Sequence, residues 1–336
     1  MMKMKKLINN PVDVVDEMLE GFVAAHKNYV RQLPENKRAI VSVNTVRPGK
    51  VGVIIGGGSG HKPAFIGYVG RGVADGVAVG NIFASPPPDP VLAATRAVNG
   101  GAGVIYLYGN YAGDCMNFDM AAELAAMEGI RVETVRVTDD VASAPKGEEE
   151  RRRGIAGDFF IFKIAGAAAE RGYDLDNVVR VTKLANDNTR SMGVALSPCA
   201  VPQTCEPSFI LGEDEMEIGL GVHGEPGVRR GKLEPADKVA DSLLDHILDD
   251  ISLVKGDRVA VLINGLGATP YLELYIMYRR VHQRLTELGV DIHRAYVGEY
   301  VTSLEMGGCS VTVMKLNDEL ATLVDDPADC PMFVQK

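Results

Sequence analysis

The stretch Glu215-Met-Glu-Ile-Gly-Leu-Gly-Val-His-Gly-Glu-Pro-Gly227 combines a strand pattern with a histidine beside a turn. Apolar residues occupy every second position from Met216 to Val222, which is the period of a strand with one buried face. Two positions of the other face are glycines, so another group can approach the backbone, and His223 follows just before the turn. The pattern predicts a strand over 215–223 and suits a nucleophilic or ligand-binding histidine. A solvated edge strand whose histidine faces water fits this stretch equally well.

Length and composition place this strand in a large globular protein. A chain of 336 residues is long enough for about two domains, each with its own core. The 46% hydrophobic and 24% charged residues are typical of globular proteins. The net charge of −10 argues against a surface that binds nucleic acid, because phosphates attract positive charge. We therefore expect no nucleic-acid partner.

Membrane and metal motifs are also missing from the sequence. No apolar run reaches the roughly 18 residues of a membrane span, and Met1–Lys6 leads into a sequence too polar for a signal-peptide core. We therefore expect a cytoplasmic protein with no membrane partner. The five cysteines form no C-x-x-C pair, and the six histidines never stand at i, i+4 spacing. This predicts free thiols and no protein-bound metal.

Two glycine-bearing loops follow predicted strands in the first half of the chain. Val51–Ile55 runs into Gly56-Gly-Gly-Ser-Gly-His-Lys-Pro63, and Val104–Tyr108 runs into Gly109-Asn-Tyr-Ala-Gly-Asp114. Glycines there allow positive φ or admit a ligand against the backbone. The repeated order of strand, loop and helix is typical of a mostly parallel sheet covered by helices. Because such sheets bind ligands at the carboxyl ends of their strands, the two loops could share one crevice.

The remaining elements follow from periodicity and capping residues. Helices are predicted over 11–30, 89–98, 118–128, 158–170, 175–192, 235–251 and 271–288. Further strands are predicted over 77–79, 132–137, 258–263, 295–299 and 309–316. The charge run Lys146–Arg153 is interpreted as a solvated loop or helix start without a function.

The proline-rich segment Ser197–Pro207 is interpreted as a crossover or linker between domains. We predict an α/β domain over 1–192 that carries both glycine loops, and a second α/β domain over 193–336 that carries the histidine of the opening stretch. The fold class is therefore α/β, with two domains whose parallel or mixed sheets are covered by helices.

Motifs for nucleotides and for serine hydrolases are missing. No G-x-x-x-x-G-K-[ST] occurs, and Pro63 stands where G-x-G-x-x-G would place its last glycine, so we place neither ATP nor NAD on this chain. The absence of G-x-S-x-G removes the anchor for a serine hydrolase. His61, Asp114 and His223 remain as candidates. An aspartate can take a proton from a hydroxyl, and a histidine can donate a hydrogen bond or attack a carbonyl, which suits a small polyhydroxylated carbonyl compound. Each could equally be a turn-capping or surface group.

Several long motifs together resemble the dihydroxyacetone kinase family, specifically its substrate-binding K subunit. The motifs are Gly56–Pro63, Asn110-Tyr-Ala-Gly-Asp-Cys-Met-Asn-Phe-Asp119, Met216–Gly227, Asn264-Gly-Leu-Gly267 and Thr302-Ser-Leu-Glu-Met306. They occur in the family's order and extend over essentially the whole chain. Together they are far more specific than any one of them.

The resemblance implies a role for each candidate residue. In that family the histidine at the position of His223 attacks the ketone and holds the substrate as a covalent hemiaminal. The residue matching His61 hydrogen-bonds the substrate, and the one matching Asp114 assists deprotonation of the hydroxyl that is phosphorylated. The pocket is completed by the glycine-turn residues Gly57, Gly58 and Ser59. A covalent tether suits a ligand with few atoms, because non-covalent affinity is limited by ligand size.

The resemblance also implies partners. The phosphoryl donor belongs to a separate L subunit that carries ATP, or a tightly held ADP rephosphorylated by a phosphotransferase-system phosphocarrier, together with Mg. No cofactor is therefore expected on this chain. The family relationship also suggests a homodimer. A kinase that acts alone would instead require ATP to bind the isolated chain.

Three positions depart from the family pattern and leave the substrate open. Lys62 stands where the family usually has glutamate, Phe65 where it has a second histidine, and Gly109 where a lysine commonly precedes Asn-Tyr. These changes suggest a larger ketose, such as a tetrulose or a branched pentulose. A ketose-sensing regulatory paralogue is the alternative from another class. Retention of Asp114 favours the kinase, because a sensor needs no base.

Overall fold

The computed structural model describes residues 4–44 and 47–336. The stretch Met1–Lys6, considered above as the start of a signal peptide, lies partly outside these residues. The chain divides into two compact units built from interleaved segments. The glycine-loop unit contains Leu7–Val137, Phe159–Leu184 and Thr322–Lys336, whereas the histidine-turn unit contains Thr138–Asp158, Ala185–Ala321 and the described residues up to Lys6.

A six-stranded mixed sheet forms the centre of the glycine-loop unit, in the order β1-β2-β4-β3-β5-β6. β3 runs parallel to β4 and β5, and β5 runs parallel to β6, while β1 and β2 add antiparallel strands at one edge. The strands are β1 (Val30–Leu33), β2 (Asn36–Ser42), β3 (Gly52–Gly57), β4 (Gly76–Val79), β5 (Val104–Gly109) and β6 (Val132–Val137).

Helices cover this sheet through apolar contacts. They are α1 (Val14–Ala25), α2 (Pro88–Val98), α3 (Ala112–Met127), α4 (Asp158–Glu170) and α5 (Leu175–Asp187), the last two having one end in the other unit's segments. Phe118 of α3 shows how they pack: its ring centroid lies 4.4 Å from Tyr108 and 5.5 Å from Tyr106, both on β5. All three side chains are fully buried, and such aromatic clusters contribute beyond the area that they bury.

A second six-stranded mixed sheet forms the histidine-turn unit, in the order β11-β10-β12-β7-β8-β9. Within this sheet β10 and β11 pair in parallel, and the other four pairs of neighbouring strands are antiparallel. The elements are β7 (Thr189–Ser197), β8 (Glu215–Ile218), β9 (Arg229–Lys232), α6 (Ala236–Asp250), β10 (Arg258–Gly265), α7 (Tyr271–Glu287), β11 (Asp291–Gly298) and β12 (Gly307–Leu316). α8 (Asp318–Asp325) begins in this unit and ends in the glycine-loop unit, to which the hairpin of β13 (Ala328–Cys330) and β14 (Phe333–Gln335) belongs.

The α/β class with mixed sheets confirms the predicted fold, but several boundaries differ. The helix predicted over 11–30 ends at Ala25, and the unpredicted hairpin of β1 and β2 follows. The helix predicted over 175–192 ends at Asp187, because Thr189 begins β7 and pairs with β12. The predicted domain boundary after residue 192 thus falls inside a strand.

Two sequence interpretations are wrong for the histidine-turn unit. The strand predicted over 215–223 ends at Ile218, and Glu217, expected on its open face, is buried against Arg230 at 2.6 Å. The charge run Lys146–Arg153 is solvated only in part. Arg152 is fully buried and forms an ion pair with Asp250 at 2.5 Å, which compensates the cost of burying its charge.

Candidate functional site

The loop after β3 is fixed to the loop after β4. The backbone N–H of Ser59 donates to the carbonyl of Asn81 at 2.9 Å, and its hydroxyl donates to the carbonyl of Gly80 at 2.6 Å. Ser59 is buried, and a buried hydroxyl is stable only when it is hydrogen-bonded. The two loops therefore form one substructure at the carboxyl ends of neighbouring parallel strands.

His61 lies within an aromatic shell on this substructure. Its side chain is only 3% exposed. The imidazole centroid lies 5.2 Å from the ring of Phe83 and 6.3 Å from the ring of Phe65, which it meets edge-on. Packing against these rings fixes where the imidazole lies.

The glycines of this loop make room for the protein itself. A Cβ at Gly58 would lie 2.9 Å from the backbone nitrogen of Ala84, and one at Gly60 would overlap the ring of Phe83. Both contacts come from residues 80–85, the loop after β4. The glycines therefore do mark a place where another group approaches the backbone closely. At Gly58 and Gly60 that group is the neighbouring loop after β4.

The sequence motifs do not identify the loop after β4 as part of the candidate site. Its sequence signal is the pair of breakers that bound it, Gly80 and the proline run Pro86–Pro88. Phe83 has a φ of 53°, in the left-handed region that non-glycine residues seldom adopt. The structure explains its position, because the ring packs beside His61.

Asp114 lies in the first turn of α3, directly after β5. Because β5 is the parallel neighbour of β3, the two glycine loops follow adjacent strands. The sequence predicts that both loops lie at the carboxyl ends of strands, but not that these strands are neighbours. The start of α3 also contacts the loop after β4: Asn117 Nδ2 donates to the hydroxyl of Ser85 at 3.1 Å. A carboxylate in the first turn of a helix is stabilised by the helix dipole.

His223 lies in a turn beyond the end of β8, and its side chain is 25% exposed. Nδ1 of its ring lies 3.0 Å from Oε1 of Glu225, and its backbone N–H donates to Oε2 of the same carboxylate at 2.9 Å. A carboxylate that accepts a hydrogen bond from Nδ1–H selects one tautomer, in which Nε2 carries the ring's lone pair.

The charge of Glu225 is maintained by its surroundings. Burial raises the pKa of this carboxyl, but the hydrogen bond and the charge of His223, together with backbone N–H groups, outweigh burial and lower the pKa to about 2. Glu225 is therefore ionised at neutral pH and acts only as an acceptor toward the histidine.

The two glycines before His223 are also filled by the protein. A Cβ at Gly219 would lie 2.8 Å from Cβ of Ala142, while one at Gly221 would lie 2.6 Å from Nη1 of Arg153 and overlap the carboxylate of Glu225. The open face expected of this stretch is thus occupied at both glycines by other parts of the same unit.

Two later motifs support the histidine turn. The hydroxyl of Ser303 donates to the carbonyl of Val222. Asn264 is fully buried and binds the backbone just before Ser303. Its Oδ1 accepts hydrogen bonds from the N–H groups of Tyr300 and Val301 at 2.9 Å, and its Nδ2 donates to the Val301 carbonyl at 2.8 Å. These motifs therefore hold the backbone next to the histidine.

The three positions that depart from the expected pattern lie in the glycine-loop unit. Nζ of Lys62 donates to the carbonyl of Ser59 at 3.1 Å, and burial lowers the pKa of Lys62 to about 8. Phe65 is buried, with its ring centroid 5.8 Å from that of Phe162. Gly109 ends β5 and is also buried. Phe65 thus serves packing, Gly109 is a buried strand end, and Lys62 places an amine beside the glycine loop.

The candidate residues are divided between the two units. His61, Asp114 and the glycine turn belong to the glycine-loop unit, whereas His223 belongs to the histidine-turn unit. Within residues 4–44 and 47–336, no group of three His, Cys, Asp or Glu side chains could hold a metal ion. Over the same residues, no helix has the length and apolar character needed to cross a membrane.

Comparison with known proteins gives matches that extend over nearly the whole of this chain. The Dak1 domain model matches residues 20–332. The chain is 51% identical to the dihydroxyacetone-binding subunit DhaK of the PTS-dependent dihydroxyacetone kinase 2 of Listeria innocua, over 98% of this chain and 99% of that protein. It is 48% identical to the D-erythrulose kinase of Mycolicibacterium smegmatis, over 98% of this chain but 56% of that protein.

Among solved structures, the dihydroxyacetone kinase operon co-activator Dha-DhaQ superposes with a TM-score of 0.89 and 32% identity, over 95% of this chain and 98% of that one. The same fold thus occurs in proteins described as kinase subunits and in a protein described as a co-activator. The chain belongs to the dihydroxyacetone kinase family, and its residues 20–332 match the Dak1 domain, the type found in the dihydroxyacetone-binding K subunit.

Proposed function

We propose that this protein holds a short ketose as a covalent hemiaminal on His223 and presents a substrate hydroxyl for phosphorylation by a separate subunit. The observation that carries the proposal is the state of the His223 ring. It is held at Nδ1 by Glu225 and is one-quarter exposed. A ring held in this way presents a nucleophilic Nε2 to a ketone carbon.

The glycine-loop unit supplies the groups that act on the hydroxyls. His61 hydrogen-bonds the substrate and Asp114 assists deprotonation of the hydroxyl that accepts the phosphoryl group, with Gly57, Gly58 and Ser59 lining the pocket. The rigid packing of His61 and the helix-start position of Asp114 support these roles. Groups that are fixed before the substrate arrives cost little reorganisation during the reaction.

The phosphoryl donor is proposed to belong to a partner. A nucleotide-binding L subunit would carry ATP, or ADP with Mg that a phosphotransferase-system phosphocarrier rephosphorylates. The full-length match to a subunit of a PTS-dependent kinase supports the second arrangement. We further propose that the K subunit acts as a homodimer.

Isothermal titration of the isolated protein with dihydroxyacetone and with erythrulose tests the tether. We expect wild-type protein to bind at least one ketose and His223→Ala to bind neither, because the tether supplies most of the affinity for so small a ligand. Binding that survives in a folded His223→Ala protein would contradict the proposal.

A tetrulose is the second candidate substrate. The 48% identity to a D-erythrulose kinase favours it, as do the altered residues Lys62, Phe65 and Gly109 beside the glycine loop. A panel of ketoses assayed for kcat/KM with the partner subunit decides between the two. Dihydroxyacetone as much the best substrate would contradict the tetrulose proposal.

A ketose-sensing regulator is the candidate from another class, and the likeness to the co-activator Dha-DhaQ favours it. A sensor binds the ketose but has no use for a base at Asp114. Phosphorylation of the ketose in the presence of an L subunit would contradict this reading, and ketose binding without turnover with any L subunit would support it.

A further inference from the structure

The carboxylate of Glu225 contacts His223 twice, and a cation from a distant part of the sequence lies behind it. Nη1 of Arg153 is 4.0 Å from Oε2 of Glu225. Arg153 belongs to the charge run Lys146–Arg153, for which the sequence pattern predicts no function. Both residues fill the space left by Gly221.

The position of Arg153 is itself fixed. Its Nε donates to Oδ2 of Asp140 at 2.9 Å, its Nη2 contacts the carbonyl of Gly219 at 3.3 Å, and its backbone N–H donates to the hydroxyl of Ser143 at 3.0 Å. A guanidinium that is bound on two sides is preorganised for a carboxylate. The row Asp140, Arg153 and Glu225 therefore alternates in charge and ends at the imidazole of His223.

We propose that Glu225 is a positioning residue for the ketose-binding histidine, with Arg153 holding its carboxylate in place. The proposal rests on the proposed function of His223 and adds the groups that determine which ring nitrogen reacts. The Glu225 carboxylate accepts a hydrogen bond from Nδ1–H, so that Nε2 keeps the lone pair that attacks.

The chemistry of the tether gives this carboxylate a second role. Nε2 donates its lone pair to the ketone carbon, and the π pair of the carbonyl moves to oxygen, which takes one proton from solvent. The ring keeps its Nδ1 proton and gains one positive charge. That charge develops next to the Glu225 carboxylate, 3.0 Å from Nδ1, and an opposite charge so close stabilises it.

A purely structural role for Glu225 is the alternative, since its carboxylate also accepts the backbone N–H of His223 and could only brace the turn. The two roles differ in what they do to the imidazole. A brace leaves the tautomer and the ketose affinity unchanged as long as the protein folds, whereas a positioning residue controls both.

The experiment uses Glu225→Gln in the full chain, labelled with ¹⁵N-histidine. Long-range ¹H–¹⁵N spectra report the tautomer of His223, whose signal is assigned by its absence in His223→Ala. Titration with dihydroxyacetone and erythrulose reports affinity. We expect E225Q to lose the preference for the Nδ1–H tautomer and to bind ketose about tenfold or more weakly, the usual effect of removing a group that orients a functional histidine.

The matched control is Glu234→Gln, which removes a carboxylate paired with Arg229 at 3.3 Å in the same region and should leave both readouts unchanged. Wild-type ketose affinity in E225Q would overturn the proposal, whatever its tautomer. If E225Q does not fold, Glu225→Asp replaces it, and we expect weaker binding from the shorter side chain; wild-type affinity there would also overturn it. Failure of the proposed function is distinguishable, because it appears as unimpaired binding by His223→Ala.

Discussion

The two histidines of the candidate site are held in different ways. His61 is 3% exposed and packs against the rings of Phe83 and Phe65. His223 is 25% exposed and is held by the ionised carboxylate of Glu225. Aromatic packing fixes where a ring lies, whereas a carboxylate at Nδ1 also fixes which nitrogen carries the proton.

This difference suits a division of work between the units. A group that only donates or accepts a hydrogen bond needs an exact position, and a rigid apolar shell supplies it. A nucleophile needs its lone pair on a particular nitrogen, and a hydrogen-bond acceptor at Nδ1 directs the proton of the neutral ring away from Nε2. Four substitutions test this contrast.

The largest effect is expected for Asp114→Asn. The change preserves size but removes the proposed base, so we expect kcat with the partner subunit to fall by roughly 10²–10⁴. Ketose affinity should change little, because the proposed tether lies on His223 in the other unit. Turnover and titration measured on the same preparation test the contrast, and an equal loss of both would refute the role of Asp114.

Gly60→Ala tests the aromatic shell. The added methyl overlaps the ring of Phe83, which must move away from His61, and overpacking of this kind costs about 1–3 kcal/mol. Urea denaturation measures the loss. Gly21→Ala is the control, because its Cβ meets no atom within 4 Å and alanine favours a helix interior. If both variants are equally stable, the shell does not constrain the loop.

Gly221→Ala tests the polar anchor. The methyl would lie 2.6 Å from Arg153 and would overlap the carboxylate of Glu225. Because these are the ends of flexible side chains, the fold should survive while the carboxylate moves away from His223. We expect about tenfold weaker ketose binding, equivalent to about 1.4 kcal/mol. Gly231→Ala, with no neighbour within 4 Å, should bind like wild type, and equal affinity of the two variants would contradict this account.

Lys62→Met should stabilise the protein slightly. Burial lowers the pKa of Lys62 to about 8, below the unfolded value of about 10.4, so the charged amine destabilises the folded state at neutral pH. We expect a gain of about 1 kcal/mol in the free energy of unfolding at pH 7, after loss of the bond to Ser59.

The sign of the pH dependence follows from proton uptake. Between about pH 8 and 10.4 the unfolded chain binds more protons at Lys62, so this residue makes wild-type stability rise with pH. The advantage of Lys62→Met should therefore shrink over that range. Exposed Lys27 provides the control, and Lys27→Met should change stability by less than about 0.5 kcal/mol. A constant difference between wild type and Lys62→Met at all pH values would contradict this explanation.

The elements that the sequence predicted best are those with a strong local pattern. Strands β3, β5, β6 and β10 and helices α2, α6 and α7 lie close to their predicted positions, because apolar periodicity, first-turn prolines and terminal glycines act within a few residues. The hairpin of β1 and β2 was missed because the helical spacing of α1 continued past its true end. β7 was missed at its start because Thr189 and Ser191 are defined by pairing with β12.

The site shows the same division. The sequence alone determined that His61 and Asp114 follow strands and that glycines surround both histidines, because these are properties of short segments. The tertiary structure alone decided what fills the glycine spaces: Phe83 beside His61, and Arg153 with Glu225 beside His223. These neighbours come from other loops, and close packing depends on the volumes of side chains that only the folded chain brings together.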